Sequence, residues 1–281
     1  MINLDGNIVK EENAKLSVLN RGFAYGDSVF ETVRVINGKI MFWEDHYFRL
    51  MASMRIMRME IPSSFSPEFL EKEIIEIIEA NDLSASAARI RFAVYRLQGG
   101  YYTPATRDIG YVITAEAMEN SFYLFNDGSY EIELFKDHYV TSGLLSTIKS
   151  NNRAVNVLGS IYARENDYDN CLLLNEKKSV VEALNGNIFL VKGDKIKTPP
   201  IADGALNGII RKQLINILKK TEEYTLEETS ISPFELQKAD ELFITNVAVG
   251  IQPVSKYRKK KFENKVSKDL LSKLNVKARL V

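Results

Sequence analysis

The feature that most restricts the fold is a change of hydrophobic period just after a tight hairpin near the N-terminus. Residues 28–36 are rich in strand-forming types, and they are followed by Asn37-Gly38, a strong type I′ turn signal. Residues 39–42 then form the second, mainly apolar strand of the predicted hairpin. From Trp43 to Met59 the apolar residues recur at helical spacing instead. A hairpin that leads directly into an amphipathic helix predicts a mixed α/β or α+β chain.

The same two periods alternate along the rest of the chain. Asp5-Gly6-Asn7 predicts another hairpin, Ser66-Pro67 predicts a helix start, and four methionines between 51 and 59 are typical of core filling. The turn-rich stretch 119–129 predicts a linker between an N-terminal lobe, 1–120, and a larger C-terminal lobe, 127–281. Further strands are predicted at 88–96, 109–115, 130–135, 171–174, 188–191 and 241–246, and further helices at 153–165, 206–220, 232–238 and around 266–274.

Composition excludes several classes of function. Lys+Arg and Asp+Glu both total 37, so the chain lacks the basic excess of a protein that coats nucleic acid. One cysteine, Cys171, and two histidines are too few for a disulfide scaffold or a structural zinc site. The lack of disulfide-forming cysteine pairs favours a cytoplasmic location. No leader or membrane-spanning run is recognisable, and the basic run 256–261 is interpreted as a solvated face. We therefore expect a soluble protein with no metal, nucleic-acid or membrane partner.

Arg49, early in the helix that follows the hairpin, is a candidate anion-binding residue. It lies in the segment His46-Tyr47-Phe48-Arg49-Leu50. A guanidinium presents a planar fork of donors to a phosphate or a carboxylate. The alternative is an exposed arginine, or one paired with Glu44 or Asp45.

A second candidate is the glycine at the start of the helix predicted from Leu206. In Asn207-Gly208-Ile209 the glycine allows a ligand to approach the backbone, and the first N–H groups of a helix favour a phosphate. An ordinary helix start is the alternative, because most helices bind no anion.

Lys149 and Glu182 form the third candidate. Lys149 lies between apolar residues in a strand-to-helix turn, where partial desolvation favours the nucleophilic amine. Glu182 follows two valines, so its carboxylate is predicted to be held inside a lobe. A phosphate seat, a nucleophilic lysine and a buried acid are together what pyridoxal phosphate requires.

These residues lie in segments that resemble a known family. The chain is similar to the fold-type IV pyridoxal-phosphate enzymes, or class IV aminotransferases, which include branched-chain aminotransferases, D-amino-acid aminotransferases and 4-amino-4-deoxychorismate lyases. The resemblance covers nearly the whole chain. It rests on Asn20-Arg21-Gly22-Phe23-Ala24-Tyr25-Gly26-Asp27-Ser28-Val29-Phe30-Glu31, His46-x-x-Arg49-Leu50, Lys149, Glu182 with Asn187-Ile188-Phe189, Asn207-Gly208-Ile209, and 240–246 leading to Pro253-Val254.

The resemblance implies a fold, a cofactor and roles for individual residues. It implies a two-lobed fold like that of D-amino-acid aminotransferase, with pyridoxal 5'-phosphate in the cleft between the lobes and a homodimer completing the pocket. Lys149 would be the Schiff-base lysine and proton-transfer base, and Glu182 would pair with the pyridine nitrogen. The phosphate would be held by Arg49 and the N–H groups of Ile209 and Ile210. The other implied contacts are Asn187, Gly208, Val247 and Ala248 for the cofactor, and Tyr25, Phe30 and Arg96 for the substrate, with Arg96 near its carboxylate.

The reaction is less directly indicated than the family. Aminotransferases of this family place hydroxyl side chains where this chain has Ile210 and Val247-Ala248, whereas the lyases resemble this chain there and at Asn152-Arg153. This favours 4-amino-4-deoxychorismate lyase, which releases pyruvate and gives 4-aminobenzoate for folate synthesis. The alternative is transamination of branched-chain or D-amino acids. A non-catalytic interaction protein on the same scaffold is a third possibility, which the Lys149–Glu182 pair does not support.

Overall fold

The computed structural model describes residues 1–279. Contacts between residues group the chain into two compact units. Unit 1 consists of Met1–Ser121 and Ile148–Asn152, and unit 2 of Phe122–Thr147 and the chain from Arg153 onward. The sequence predicts that Lys149 belongs to the C-terminal lobe, but the segment that carries it belongs to unit 1. The reason is backbone pairing, since Ser150 forms an antiparallel bridge with Val29.

Unit 1 is built on one antiparallel sheet. The strand 28–36 pairs with the strand 87–96 without a break, from Ser28–Tyr95 to Ile36–Ala87. The hairpin predicted at Asn37-Gly38 is confirmed, and both residues have the positive φ that a type I′ turn requires. The strand order is β2-β1-β6-β5-β3-β4. The strands are β1 (Ile2–Leu4), β2 (Asn7–Val9), β3 (Ser28–Ile36), β4 (Lys39–Ile40), β5 (Ala87–Arg96) and β6 (Ile109–Met118).

Three helices complete unit 1, namely α1 (Arg21–Tyr25), α2 (Trp43–Ile56) and α3 (Pro67–Ala80). The start predicted for α3 is confirmed, since the Ser66 hydroxyl accepts a hydrogen bond from the Phe69 N–H. The apolar faces of α2 and α3 pack with the sheet in one core, and three of the four predicted core methionines are at most 3% exposed. Ile148 belongs to the same core, which anchors the segment that carries Lys149.

Unit 2 contains two five-stranded sheets. The strand orders are β12-β11-β10-β13-β14 and β16-β15-β7-β8-β9. Buried residues from both sheets, including Leu172 and Leu242, form one apolar core. The strands are β7 (Glu131–Val140), β8 (Asn170–Asn175), β9 (Val180–Ala183), β10 (Asn187–Lys192), β11 (Lys195–Thr198), β12 (Thr225–Glu228), β13 (Glu241–Asn246), β14 (Gly250–Val254), β15 (Lys256–Tyr257) and β16 (Lys260–Lys261).

The helices of unit 2 are α4 (Ala154–Glu165), α5 (Ile209–Leu218), α6 (Pro233–Leu236) and α7 (Lys265–Arg279). The helix predicted from Leu206 therefore begins three residues later than expected. Leu206 is held outside it, because its N–H donates to Glu182 and its carbonyl accepts from Asn187. The basic run 256–261 forms the β15–β16 hairpin and is partly ion-paired, with Lys256 on Glu131 and Arg258 on Glu133.

Two properties of the described part of the chain, residues 1–279, concern membranes and metals. None of its helices combines the length and the apolar character needed to cross a bilayer. No group of three or more His, Cys, Asp or Glu side chains is placed there to hold a metal ion.

Candidate active site

Lys149 lies on a short extended segment that runs antiparallel to the start of β3. Its carbonyl accepts a hydrogen bond from the Phe30 N–H at 2.8 Å, and the Asn151 N–H donates to the Ser28 carbonyl at 2.9 Å. The Lys149 Nζ lies 4.6 Å from the centroid of the Phe30 ring. Backbone pairing therefore fixes the position of Lys149, and the predicted substrate residue Phe30 lies beside its amine.

Arg91 is a cation beside this lysine segment that the sequence analysis missed. Its guanidinium lies 3.7 Å from the centroid of the Phe30 ring, and Nη2 donates to the Asn151 side chain at 3.1 Å. Burial, and then the charge of Arg89, lower the pKa of Arg91 from its ordinary value. In the sequence, Arg91 is only an arginine within a predicted strand. The sequence alone does not show whether such a side chain is buried in a site or exposed to solvent.

Arg49 is held by Glu31, a residue that sequence analysis did not consider as its partner. The Arg49 Nε donates to Glu31 Oε1 at 2.7 Å and Nη2 donates to Oε2 at 2.5 Å, which makes a two-bond fork. His46 Nδ1 lies 2.7 Å from the same Oε2. The Arg49 side chain is 8% exposed, so it is not a surface arginine, and its ion pair with Glu31 is buried.

Glu31 is a buried carboxylate that remains ionised. Burial alone would raise its pKa, but the charge and hydrogen bonds of Arg49, and then those of His46, outweigh it and lower the pKa to about 2. Burial lowers the pKa of His46, although Glu31 opposes this effect. His46 is therefore neutral near pH 7, and its Nδ1–H donates to Glu31. Within residues 1–279, the buried Nε2 of His46 has no hydrogen-bond partner.

Tyr25 and Arg96 line one cavity of about 340 Å³ in unit 1. The Tyr25 ring lies 5.9 Å from that of Tyr102. Arg96 is 5% exposed and donates to both carboxylate oxygens of Asp27 and to the carbonyls of Met57 and Arg58. All three of its nitrogens are thus engaged inside the protein, which gives Arg96 an anchoring role in this structure.

Glu182 is a buried acid of unit 2, as the sequence analysis expected of its carboxylate. It lies in β9, is 5% exposed, and accepts the Leu206 N–H on Oε2 at 2.9 Å. This bond ties the carboxylate to the chain that enters α5.

Asn187 and Gly208 form a close contact at the start of α5. The Asn187 amide donates to the Leu206 carbonyl, and a Cβ added to Gly208 would lie 2.0 Å from Asn187 Oδ1. Any larger residue at position 208 would displace the Asn187 side chain from this contact. Gly208 caps the helix without a side-chain hydrogen bond, and the side chains of Ile209 and Ile210 are in the core. These two isoleucines therefore offer a ligand only their backbone N–H groups, which have no acceptor within the helix.

Val247 and Ala248 lie in the turn between β13 and β14. Asn246 Oδ1 accepts the N–H groups of Ala248 and Val249 at 2.9 and 3.0 Å, and the Val247 carbonyl accepts the Tyr123 hydroxyl. The turn is thus held by its own asparagine, and the Ala248 N–H is already donated within it. Beside it, the buried hydroxyl of Thr245 has no hydrogen-bond partner in the described residues.

Comparison with known proteins gives these features a common context. The family model described as "Amino-transferase class IV" matches residues 28–257, which is more than half of the chain. The chain belongs to the class IV aminotransferases. It is 32% identical over 276 residues to the "Putative branched-chain-amino-acid aminotransferase" of Methanocaldococcus jannaschii, covering 98% of this chain and 94% of that protein.

Two further relatives of this class IV aminotransferase belong to different branches. It is 24% identical over 238 residues to an aminodeoxychorismate lyase of Vibrio harveyi, covering 84% of this chain and 85% of the lyase. The crystal structure of a branched-chain aminotransferase from Thermoproteus uzoniensis with norvaline superposes with a TM-score of 0.85 at 27% identity, covering 97% of this chain and 92% of that one. The expected family and fold are thus confirmed, and the protein is a pyridoxal-phosphate enzyme.

The residues present fit pyridoxal phosphate. The first N–H groups of α5, those of Ile209 and Ile210, have no acceptor within the helix and suit a phosphate, and Glu182 is an acid buried close to that helix start. In unit 1, Arg49 supplies a cation whose plane Glu31 fixes, and Lys149 supplies the amine. When bound, the cofactor supplies an electron sink for a carbanion formed on the substrate.

Glu182→Gln is expected to slow turnover and to leave most of the cofactor affinity. The family resemblance implies that Glu182 pairs with the pyridine nitrogen of the cofactor. Loss of a negative charge there lowers the pKa of the nitrogen by about 1–3 units, so kcat is expected to fall by roughly 10–10³-fold. Activity assays and titration with pyridoxal phosphate measure the two effects. Glu176→Gln, an exposed change in the same unit, is the matched control. Equal turnover in the two variants would assign Glu182 a structural role only.

Proposed function

We propose that the protein is an aminotransferase that moves amino groups between branched-chain amino acids and 2-oxo acids. The observation that carries the proposal is the 32% identity, over nearly the full length of both chains, to a protein named as a branched-chain aminotransferase. Lys149, Glu182 and Arg49 supply the amine, the acid and the cation that such a reaction needs. The sequence alone favours the lyase, but the comparisons support the aminotransferase alternative better.

In the proposed site, each group has a defined role. Lys149 Nζ binds the cofactor and then moves the proton between the substrate and the cofactor. Arg49 and the N–H groups of Ile209 and Ile210 bind the phosphate, and Glu182 keeps the pyridine nitrogen protonated. Glu31 does not touch the ligand in this scheme, and it orients Arg49.

The lyase is the second candidate, and one observation favours it. The buried apolar side chain of Ile210 and the apolar Val247 offer no hydroxyl to a phosphate. The lyase branch is expected to have this arrangement. Both reactions need the same proton transfer by Lys149, so that residue does not distinguish them. A direct assay of the products separates the two reactions better than Ile210 and Val247 do.

The proposed reaction is tested by two assays on one preparation. One measures 2-oxo acid formation from a panel of L- and D-amino acids with 2-oxoglutarate as acceptor, and the other measures 4-aminobenzoate release from 4-amino-4-deoxychorismate. We expect rapid turnover of L-branched-chain amino acids and none in Lys149→Ala. Release of 4-aminobenzoate without 2-oxo acid would reverse the order of the two candidates. Turnover of D-amino acids alone would move the proposal to the D-specific branch.

The homodimer and the cytoplasmic location expected from the sequence remain predictions. The family resemblance supports the dimer. A light-scattering mass equal to that of one chain, 31.9 kDa, would contradict it.

A further inference from the structure

Unit 2 contains a cavity of about 770 Å³, the unit 2 cavity, whose lining includes none of the candidate active-site residues. This volume lies in the range usual for small-molecule sites. Leu134 and Leu174 line the cavity and belong to the apolar core of the unit. The rest of its wall comes from β7, the turn between β8 and β9, the turn between β15 and β16, and the segment 230–237 around α6. The cavity is therefore built jointly by four separate stretches of the chain.

The charged side chains around the unit 2 cavity are mostly cations. Four cations line it, against one carboxylate, that of Glu235. The four cations are Lys136, Lys177, Lys178 and Arg258. Glu235 is engaged elsewhere, since one of its oxygens accepts the Ser232 N–H at 3.0 Å and the other accepts Lys197 Nζ at 2.9 Å. The cavity therefore has an excess of positive charge.

Three of the four cations have no counter-charge. Arg258 is paired with Glu133, whereas none of the three lysines forms an ion pair within residues 1–279. Glu176, the acid in the turn that carries two of the lysines, is directed to Ser142, whose N–H and hydroxyl it accepts. A cleft lined by unpaired charges of one sign attracts ligands of the opposite sign. The unit 2 cavity thus favours an anion.

The turn that carries two of the lysines is held by a buried side chain. Asn175 is 0% exposed, and its side-chain oxygen accepts the N–H groups of Lys177 and Ser179, both at 3.0 Å. Its backbone carbonyl accepts the Lys178 N–H at 2.8 Å, and its backbone N–H donates to the Ser179 carbonyl at 3.0 Å. Both lysines therefore extend from a fixed backbone, which reduces the ordering cost of binding a ligand.

Two of the four cations occupy backbone positions that favour glycine. Lys178 has a φ of 63° and Arg258 has a φ of 56°, so both are left-handed. A residue with a Cβ is strained in this region, whereas glycine is not. Two long cationic side chains are thus placed at one cavity at a cost in backbone strain, a cost that is typical of ligand-binding positions.

The segment 230–237 supplies an aromatic ring to the same cavity. Phe234 lines the cavity and is 82% exposed, so its ring remains available to a ligand. The Ser232 hydroxyl accepts the Phe234 N–H, which fixes the backbone at the ring. An exposed aromatic face is a stacking surface for a planar group, and the Gln237 amide beside it supplies both a donor and an acceptor. The cavity therefore suits a ligand with an anionic part and a planar part.

We propose that the unit 2 cavity binds a nucleoside polyphosphate, with the phosphates on the three lysines and the base on the Phe234 ring. A chain of phosphates supplies several negative charges and many acceptor oxygens. Every base has a flat face that stacks on an aromatic side chain. The inference goes beyond the proposed transamination and does not rest on it, because no residue of the cavity has a role in that reaction.

Calorimetric titration with metal-free ATP tests the proposal. The protein is loaded with pyridoxal phosphate first, so that the phosphate seat of the cofactor is filled. We expect ATP binding that weakens about tenfold in Lys178→Gln, because a hydrogen bond to a charged group is lost. Lys178→Gly removes the same charge and relieves the backbone strain, so it is expected to weaken binding equally in a protein at least as stable.

Lys220→Gln is the matched control for the lysine variants. Lys220 is exposed in the same unit and does not line the cavity. Its loss is expected to leave ATP binding within about twofold of wild type, since an exposed charge outside the site contributes little. Neither Lys178 nor Lys220 belongs to the candidate active site, so turnover is expected to stay at the wild-type rate in both variants.

Phe234→Ala tests the planar part of the ligand. Because stacking is lost, ATP binding is expected to weaken about fivefold or more. Inorganic tripolyphosphate has no ring, so we expect it to bind wild type and Phe234→Ala equally and to bind Lys178→Gln more weakly. Adenosine has no phosphate, so we expect it to bind wild type and Lys178→Gln equally.

The results that would overturn the inference are specific. Absence of ATP binding by wild type, or equal weakening by Lys178→Gln and Lys220→Gln, would show that the cavity is not an anion site. If tripolyphosphate bound as tightly as ATP and Phe234→Ala changed neither, the assignment of a nucleoside would fail. None of these results depends on the transamination assay, so the binding site and the proposed reaction stand or fall separately.

Discussion

Lys149→Ala is expected to abolish covalent attachment of pyridoxal phosphate and to lower turnover by at least about 10²–10⁴-fold, the usual contribution of a proton-transfer group alone. The reason is chemical. In the proposed site the Lys149 Nζ is both the group that the cofactor aldehyde bonds and the base that moves the proton. Because backbone hydrogen bonds hold the segment, the alanine variant keeps its fold.

Three measurements check this expectation. Wild type treated with borohydride should carry a cofactor adduct on the peptide that contains Lys149, and the variant should carry none. The visible absorption of the bound cofactor should change in parallel with activity. Lys39→Ala, an exposed change in the same unit, is the matched control. An adduct of equal yield in the Lys149 variant would place the reactive lysine elsewhere.

Glu31→Gln is expected to lower the free energy of unfolding by about 3 kcal/mol. The amide has the shape of the carboxylate, so no cavity forms, but the buried Arg49 loses its counter-charge, and breaking one side of a buried ion pair typically costs about 3–5 kcal/mol. Pyridoxal-phosphate affinity is expected to fall as well, since the plane of the Arg49 guanidinium is no longer fixed.

Urea unfolding of the cofactor-free protein measures the stability change. Glu116→Gln is the matched control, because Glu116 pairs with Arg89 on the same sheet but both side chains are at least 44% exposed. The control is expected to lose less than about 1 kcal/mol. If both variants lost a similar amount of unfolding free energy, the buried Arg49–Glu31 pair would contribute no more to stability than an exposed ion pair.

The stability contribution of Glu31 is also expected to depend on pH. Its folded pKa, about 2, lies below its ordinary value of 4.5, so the contribution is complete above about pH 4.5 and is lost as the pH falls through 2. The difference in pKa corresponds to about 3 kcal/mol. The wild-type advantage over Glu31→Gln should therefore shrink between pH 5 and 2. His46 acts in the same direction, since burial lowers its pKa and acid favours the unfolded chain below about pH 6.5.

Much of the fold could be predicted because it depends on local pattern. Hydrophobic period and turn residues were enough for the hairpin at Asn37-Gly38 and for helices α2 and α3. The short strands β9, β11, β12 and β14 to β16 could not be found in this way, since two to five residues carry too little pattern. The late start of α5 was missed for a related reason, since Glu182 and Asn187 hold Leu206 outside the helix.

The main residues of the candidate site could be predicted from sequence motifs, but the contacts that hold them in place could not. Lys149, Arg49 and Glu182 were chosen by residue type and order, which a sequence records. The partner of Arg49 is Glu31 on a neighbouring strand, and the donors of Arg96 are consumed by Asp27 and two carbonyls. Such pairings depend on where the ends of long side chains meet, and no spacing rule gives that.

The return of Ile148–Asn152 to unit 1 has a consequence for how the protein is made. Because a ribosome releases the chain from its N-terminus, unit 1 still lacks the strand pairing of Ser150 and the core residue Ile148 when Ser121 has emerged. Synthesis must continue through the first part of unit 2 before that gap can close. A fragment that ends at Ser121 is thus an incomplete domain with an exposed strand edge, and Lys149 joins the fold only with the last piece of unit 1.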